Sequence, residues 1–599
     1  MRQLPASFLL LTTLLTGSAL AAPAPKPSWP TVQRQLAADR VAPGTALEKL
    51  IRENQDFSLL RPKELTELSD RSDRSRVPLW LRVYWRKAHP EMEVYPYVLK
   101  EVHEWMVSHP DLPGLGGINV LRAESDKKKK PPKPTVSVDA GPDLRISPEQ
   151  ASSPRSESDI RINFWNTDQI VSASNDIEGF GSLAIYYSGD GGGSWRQTSL
   201  PKQLSESFHS DPTVEWTSDG TAWATTLSVD TATRHLTGNT YRSPNGGATW
   251  TFAGNFSGDQ TSVDKQMTWV DHSDSSPFKD NLYVIYHNER EVFMNRRNGP
   301  DGEWGEPLQV SGNETFGTGI GADVKTNRLG TVFGFWPDTD SQRIFMVRSN
   351  NGGQSYSRPL LISRTFASFD VAVPAMFRRR FLIYVTAGAF YRNPKKNMVY
   401  AAWADLAGGR GCSSPEHEPG TNRTAACTSR IWLARSTNGG NSWLRPVMIN
   451  NPKTLNDQFN PWLAVDETTG NLAIMYYDSA GETRNMTNVW AQASLDDGAT
   501  WSAAYRVSSE PTDESIGLAN GNQYGDYNGL SGHAGTFFPS WTDRRNPGPG
   551  REQIWTAPLT IQVKAAARSA CPFSPLFADL AAAAEWTPEA LAQPVCTPE

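Results

Sequence analysis

Seven aspartates stand at the heads of strand-like runs between residues 157 and 563, and their carboxylates are the groups best placed to do chemistry. In chain order they are Asp159, Asp211, Asp264, Asp323, Asp370, Asp457 and Asp526. If they converge they repel one another, and they stay ionised only with cations among them. Arg161 and Lys265 are close in sequence, and Ca²⁺ is a second option because it accepts oxygen ligands in flexible geometry. The alternative is that each aspartate only caps its own blade by accepting backbone N–H groups.

A ring of carboxylates favours a ligand that is cationic, metal-bridged or rich in hydroxyl donors, as a sugar is. We predict that the six aspartates from Asp211 to Asp526 bind this ligand and that Asp159 completes the ring. Trp269, Trp462 and Trp541 are candidates to stack on sugar faces. The alternative for these indoles is burial in the core.

The elements that would position these residues are indicated by an eight-residue turn that occurs five times, at 188–195, 243–250, 349–356, 436–443 and 494–501. Its pattern is Ser-x-Asp/Asn-x-Gly-x-Ser/Thr-aromatic, with Asp190, Asn245, Asn351, Asn438 and Asp496 at the third position. An Asp or Asn side chain can accept backbone N–H groups within a turn, and glycine supplies a positive φ. Because a strand-like run precedes the copies, each turn is predicted to join two antiparallel strands away from the ligand site.

These five turns resemble the Asp-box, or BNR repeat, of sialidases and related secreted β-propellers. The resemblance implies a propeller in which the motif is structural. The family holds its substrate carboxylate with three arginines and uses a tyrosine nucleophile activated by a glutamate. Tyr524 and Tyr527 are the candidate nucleophiles, and Arg544 and Arg545 the candidate carboxylate binders.

The sequence departs from that family in two places. The family's Arg-Ile-Pro is missing, and the nearest text is Arg161-Ile162-Asn163. The seven aspartate-headed units, each with room for four short strands, predict an all-β propeller of seven blades, with the six of sialidases as the alternative.

The termini and composition predict the remaining organisation. Residues 1–21 have the charged start, short apolar run and Ala-x-Ala site of a signal peptide, which predicts secretion and a chain without a membrane span. Residues 30–121 carry helical periodicity and predict a small α-helical domain; residues 122–156 are a Lys-, Pro- and Ser-rich linker. The propeller is placed at 157–563 and a C-terminal tail at 564–599. A net charge of −6 argues against a nucleic-acid partner, and we expect a monomer.

The four cysteines fit an exported protein. The simplest of three connectivities pairs Cys412 with Cys427 and Cys571 with Cys596, which would staple the tail. A metal site is the competing interpretation, although the sequence has no C-x-x-C.

Two functions of different class follow. The first is a secreted propeller that recognises a glycan or an extracellular protein at the channel mouth. The second is a glycoside hydrolase of sialidase type, in which Glu215 either activates a base or faces solvent. They differ in whether three arginines and a tyrosine–glutamate pair meet in one pocket.

Overall fold

The computed structural model describes residues 135–148, 153–177, 183–204, 206–393, 396–451, 454–480, 483–514, 524–545 and 552–564. The predicted signal peptide, the helical domain and the Cys571–Cys596 pair lie outside these residues, as does all of the tail except Lys564. The chain divides into two compact units, residues 1–125 with 136–562 and residues 126–135 with 563–599. Of the second unit only Thr135, Val563 and Lys564 are described.

The described residues form a seven-bladed β-propeller. Seven inner strands (β3, β7, β11, β15, β21, β25 and β29) lie side by side in a ring, because each contacts the next and the last contacts the first. In chain order the strands are β1 (Thr135–Ala140), β2 (Leu144–Arg145), β3 (Arg155–Ile162), β4 (Ile170–Asp176), β5 (Ala184–Ser188), β6 (Arg196–Ser199), β7 (Phe208–Trp216), β8 (Ala222–Asp230), β9 (His235–Ser243), β10 (Thr251–Asn255), β11 (Val263–Val270), β12 (Leu282–Asn288), β13 (Glu291–Arg297), β14 (Leu308–Gln309), β15 (Asp323–Thr326), β16 (Val332–Asp338), β17 (Arg343–Ser349), β18 (Leu360–Arg364), β19 (Asp370–Val373), β20 (Met376–Leu382), β21 (Thr386–Asn393), β22 (Lys396–Leu406), β23 (Ser429–Ser436), β24 (Val447–Met448), β25 (Gln458–Val465), β26 (Leu472–Asp478), β27 (Asn488–Ser494), β28 (Tyr505–Arg506), β29 (Gly529–His533), β30 (Thr536–Asp543), β31 (Gln553–Thr556) and β32 (Leu559–Lys564).

Burial decreases from the centre of each blade to its rim. All nine residues of the inner strand β7 are buried, whereas the outer strand β6 is mostly exposed. The largest fully buried side chains, which include Trp216, Trp336 and Trp541, come from inner and middle strands. Burying indoles in this way supplies a large hydrophobic stabilisation to the packing of the strands.

The five repeated turns join the third and fourth strands of their blades. In the first, the carboxylate of Asp190 accepts hydrogen bonds from the Ser188 hydroxyl at 2.7 Å and from the Ser194 backbone N–H at 2.8 Å. Gly191 and Gly192 both have positive φ, and a Cβ atom at Gly192 would lie 2.8 Å from Phe538 of the last blade. Glycine is therefore needed there both for backbone conformation and for close packing.

Blade seven is closed by a strand from the N-terminal side of the propeller. β29, β30 and β31 come from the end of the described chain, but the outermost strand, β2, pairs with β31 through Leu144↔Thr556 and Arg145↔Trp555. β1 is also a strand of this sheet. Residues 135–145 therefore belong to sheet structure, although sequence analysis placed them in the linker, because so short a strand has no periodicity to detect.

The fifth predicted unit head belongs to an inserted hairpin. Asp370 begins β19, which pairs only with β20 in a two-stranded sheet, and the inner strand of blade five is β21. The assignment of Asp370 to an inner strand was wrong, although the number of blades was right. A second insertion in this blade, between β22 and β23, carries the predicted Cys412–Cys427 disulfide, with a Cα–Cα distance of 4.8 Å. In the described part of the chain, none of the helical structure is long and apolar enough to cross a membrane.

Candidate functional site

The aspartates do not occupy one level of the channel. Four inner strands carry a β-bulge whose central residue has positive φ: Glu157, Asp211, Lys265 and Asn460. When these strands are aligned on the residue with positive φ, Asp211 occupies that position. Asp264 lies one position before it in its own strand, and Asp159 lies two positions after it. The regular spacing in sequence therefore does not produce a ring of equivalent carboxylates.

Each of the seven aspartates is buried and bonded within the protein. Asp159 accepts a hydrogen bond from the Val214 backbone N–H of the next blade at 3.0 Å. Asp323 does the same for the Ala387 N–H at 2.8 Å. These contacts join neighbouring inner strands, whereas the alternative in sequence analysis was a cap on the aspartate's own blade. Ligand binding by the seven aspartates stays a prediction.

Buried arginines neutralise three of these carboxylates. Arg379 bonds both oxygens of Asp526, at 2.8 and 2.7 Å, and one oxygen of Glu157 at 2.6 Å. Arg484 forms the same forked pair with Asp457, at 2.7 and 3.0 Å, and the guanidinium of Arg380 lies 3.2 Å from Asp370. A buried charge without such a partner would cost several kcal/mol.

Asp211 and Asp264 are the one pair of predicted ring members with a marked mutual effect. Burial, with the nearby Asp264 carboxylate, raises the pKa of Asp211 to about 7. Beside them the Lys265 ammonium lies 3.6 Å from the centre of the Tyr527 ring and 3.0 Å from Met267 Sδ. Among the described residues, no group of three or more His, Cys, Asp or Glu side chains is arranged to hold a metal ion.

The two candidate nucleophiles are deeply buried. Tyr524 accepts a hydrogen bond from the Thr487 hydroxyl at 3.0 Å and lies close to Glu514. Burial raises the pKa of Tyr524 well above its ordinary value, and burial beside Glu552 does the same for Glu514. A raised pKa opposes ionisation of the Tyr524 phenol, which an activated nucleophile requires. The hydroxyl of Tyr527 has no hydrogen-bond partner among the described residues.

The two candidate arginines interact with carboxylates of the protein. The Arg545 guanidinium bonds both Asp543 and Asp143, and Arg544 interacts with Glu514. Catalytic roles for Tyr524, Tyr527, Arg544 and Arg545 stay predictions.

A pocket opens in the channel, where the side chains of six inner strands meet towards the C-terminal ends of most of them. The polar and aromatic side chains in its wall are those of Arg161, Phe164, Trp269, Lys325, Trp462, Glu467 and Ser531. It therefore holds one arginine, two indoles and one carboxylate.

Trp269 and Trp462, two of the three tryptophans named in sequence analysis, line this pocket. Both also belong to the buried core, with 9% and 3% of their surface exposed. The Trp269 indole N–H donates a hydrogen bond to the Thr326 hydroxyl at 3.0 Å, which fixes the orientation of the ring. The Arg161 guanidinium and the Lys325 ammonium lie 5.4 and 4.5 Å from the Trp269 ring centre. Trp462 lines the wall contributed by β25. Trp541 is fully buried and donates to Asp543, so it belongs to the core.

A buried chain of charges runs behind the pocket. Asp159 bonds Arg161 at 3.2 Å, Arg161 bonds Glu215 at 2.7 Å, and the second oxygen of Glu215 lies 3.1 Å from His272 Nε2. Arg161 and His272 hold the pKa of Glu215 below its ordinary value against the effect of burial, and Glu215 raises the pKa of His272. Glu215 is thus fixed as an anion inside the protein and does not face solvent.

Glu467 differs from every other carboxylate in this region. It lies in the connection between β25 and β26, lines the pocket, and makes no hydrogen bond within the described chain. Burial is the main cause that raises its pKa to about 7; nearby carboxylates add to the rise and His272 opposes it. Sequence analysis missed Glu467 and His272 because both follow inner strands in irregular loops, where no spacing marks them.

No protein-family model matches the chain, and no curated protein matches it in sequence. Solved structures with a similar course of the chain include an α-L-arabinofuranosidase of Fusarium graminearum with arabinobiose, at 9% identity and a TM-score of 0.39, covering 71% of this chain and 98% of that one. A leech intramolecular trans-sialidase matches at 11% identity and a TM-score of 0.39, covering 60% and 70%. A protein of unknown function from Dyadobacter fermentans matches at 13% and 0.36, covering 71% and 99%. Likeness at this level carries no conclusion about what this chain binds.

Proposed function

We propose that this protein is a secreted β-propeller that binds a glycan in the channel pocket. The observation that carries the proposal is the meeting of Trp269 and Trp462 with Arg161, Lys325 and Glu467 in one concave site. Indole faces pack against the C–H faces of sugars, while charged groups around them bond hydroxyls. Mostly apolar walls with a few convergent polar groups are typical of small-molecule sites.

A glycan suits this pocket better than a protein surface does. The site is a narrow concavity within the ring of inner strands, and a flat protein surface cannot reach its wall. We place one terminal sugar residue of the glycan at this site, with the rest of the glycan outside.

The test is a glycan array followed by calorimetric titration of the best glycan. In Trp462→Phe the indole is replaced by a smaller ring, and we expect affinity to fall about tenfold, or about 1.4 kcal/mol. The matched control is Trp443→Phe in the repeated turn of blade five, outside the pocket wall, which should bind as the wild type does. Equal affinity in both variants, or no glycan bound at all, would contradict the proposal.

Hydrolysis of sialidase type is the second candidate, and the proximity of Tyr524 to Glu514 is the observation that favours it. Against it, Arg161, Arg379, Arg484 and Arg545 each bond carboxylates of the protein. A fluorogenic sialoside decides the matter: turnover that disappears in Tyr524→Phe would support this chemistry.

A further inference from the structure

Glu467 contributes a carboxyl group to the wall of the pocket. Among its neighbours in the wall, Arg161 is bonded to Asp159 and Glu215, Lys325 to Asp323, and the Ser531 hydroxyl to the Ile162 N–H. The Glu467 carboxyl has no such bond in the described chain, although it is partly buried. A carboxyl in a pocket wall that makes no hydrogen bond within the protein can bond a ligand.

The environment of Glu467 favours its protonated form. The charged groups that act on it come from three elements: His272 and Asp271 after β11, Glu215 on β7, and Asp466 beside it. Only His272 favours the anion, while the three carboxylates and burial oppose it. Unlike Glu215, which Arg161 keeps ionised, Glu467 therefore retains its proton up to about neutral pH.

His272 is positioned to adjust this equilibrium without touching the pocket. Its Nε2 is bonded to Glu215, its side chain is 4% exposed, and its ring packs 4.6 Å from Phe164 and 4.9 Å from Trp269. Its Nδ1 is buried with no partner in the described chain. Glu467 in the wall and His272 behind it thus lie together at a site lined by indoles.

We propose that Glu467 is a general acid that cleaves the glycosidic bond of a glycan held in the channel pocket, and this rests on the glycan binding proposed above. The carboxyl donates its proton to the glycosidic oxygen as the bond from that oxygen to the anomeric carbon breaks. The electron pair stays with the oxygen, which leaves as a hydroxyl. Water adds to the anomeric carbon and releases one proton to solvent, and solvent returns one to Glu467. Such proton donation is worth about 10²–10⁴-fold in rate.

The first experiment compares two leaving groups. A panel of hexopyranosides and pentofuranosides is offered as disaccharides, which need a proton on the leaving oxygen, and as 2,4-dinitrophenyl glycosides, which do not. In Glu467→Gln, hydrolysis of the disaccharide should fall about 10²–10⁴-fold, while the dinitrophenyl glycoside is hydrolysed at nearly the wild-type rate. Glu510→Gln, at an exposed glutamate outside the pocket wall, should leave both rates unchanged.

The second experiment tests His272 as a positioning residue. Because His272 lowers the pKa of Glu467, His272→Gln should move the alkaline limb of the kcat/KM profile to higher pH. A merely structural histidine would change stability without moving that limb.

The outcomes separate the two proposals. If the wild type binds a glycan and hydrolyses no member of the panel, or if Glu467→Gln slows both leaving groups equally, the general acid is wrong and glycan binding stands. If no glycan binds, the proposed function fails first. A selective loss on disaccharides supports both.

Discussion

Charged side chains of the same types lie at both ends of the inner strands, but they differ in their hydrogen bonding. At the bulge level, Arg379, Glu157 and Asp526 are bonded to one another, and almost no surface is exposed. At the pocket level, Glu467 and His272 Nδ1 have no partner in the described chain. We therefore propose that a carboxylate whose hydrogen-bonding capacity is unused, rather than a large number of carboxylates, marks the binding site in this protein.

We expect the largest loss of stability from a substitution of Arg379. In Arg379→Met, Glu157 and Asp526 lose their shared cation inside the protein, and we expect the free energy of unfolding to fall by about 3–5 kcal/mol. Chemical denaturation measures it. The exposed Arg328→Met should change it by less than about 0.5 kcal/mol, and a similarly small effect at Arg379 would show that the bulge-level network is not structural.

The pH dependence of the free energy of unfolding tests a second carboxylate at the bulge level, Asp211. Folding raises the pKa of Asp211 from 3.8 to about 7, so the folded state binds this proton more tightly than the unfolded state. The stabilisation is complete below about pH 4 and is lost as the pH rises through 7. We expect the wild type to lose more than about 1 kcal/mol over that range relative to Asp211→Asn, measured by urea denaturation at each pH. Parallel profiles would show that Asp211 titrates normally.

The repeated turns provide a region that should affect stability alone. Asp496 accepts from the Ser494 hydroxyl at 3.0 Å and from the Thr500 backbone N–H at 2.7 Å. Asp496→Ala should lower the free energy of unfolding by about 1 kcal/mol and leave glycan affinity unchanged. Weakened binding at unchanged stability would mean that the turns contribute to the ligand site.

The smallest expected effect has the opposite sign. Because burial raises the pKa of Glu467, its charged form opposes folding above about pH 7. Glu467→Gln should therefore gain stability at pH 8, by less than about 1 kcal/mol since the group is partly solvated, and should gain none at pH 5. Loss of stability at both pH values would show that the carboxyl has a structural partner.

Local sequence patterns predicted the features that interactions between nearby residues determine. The five turns fixed the positions of third and fourth strands because their hydrogen bonds lie within eight residues, and the tryptophans of β11 and β25 could be placed from their strands. Asp370 was misplaced because a strand head in a hairpin and one in a blade have the same local sequence. Glu467 and His272 were missed because ring closure, which no local pattern records, brings their loops together.

The strand β2 also sets the order of events during synthesis. It must wait for β31, and 407 residues separate Ser147 from its hydrogen-bond partner Ile554. At roughly 5–20 residues per second, this interval is on the order of 20–80 s. Most of the chain is therefore synthesised before blade seven can form. Until then β2 stays an unsatisfied edge, available to a chaperone or to another nascent chain.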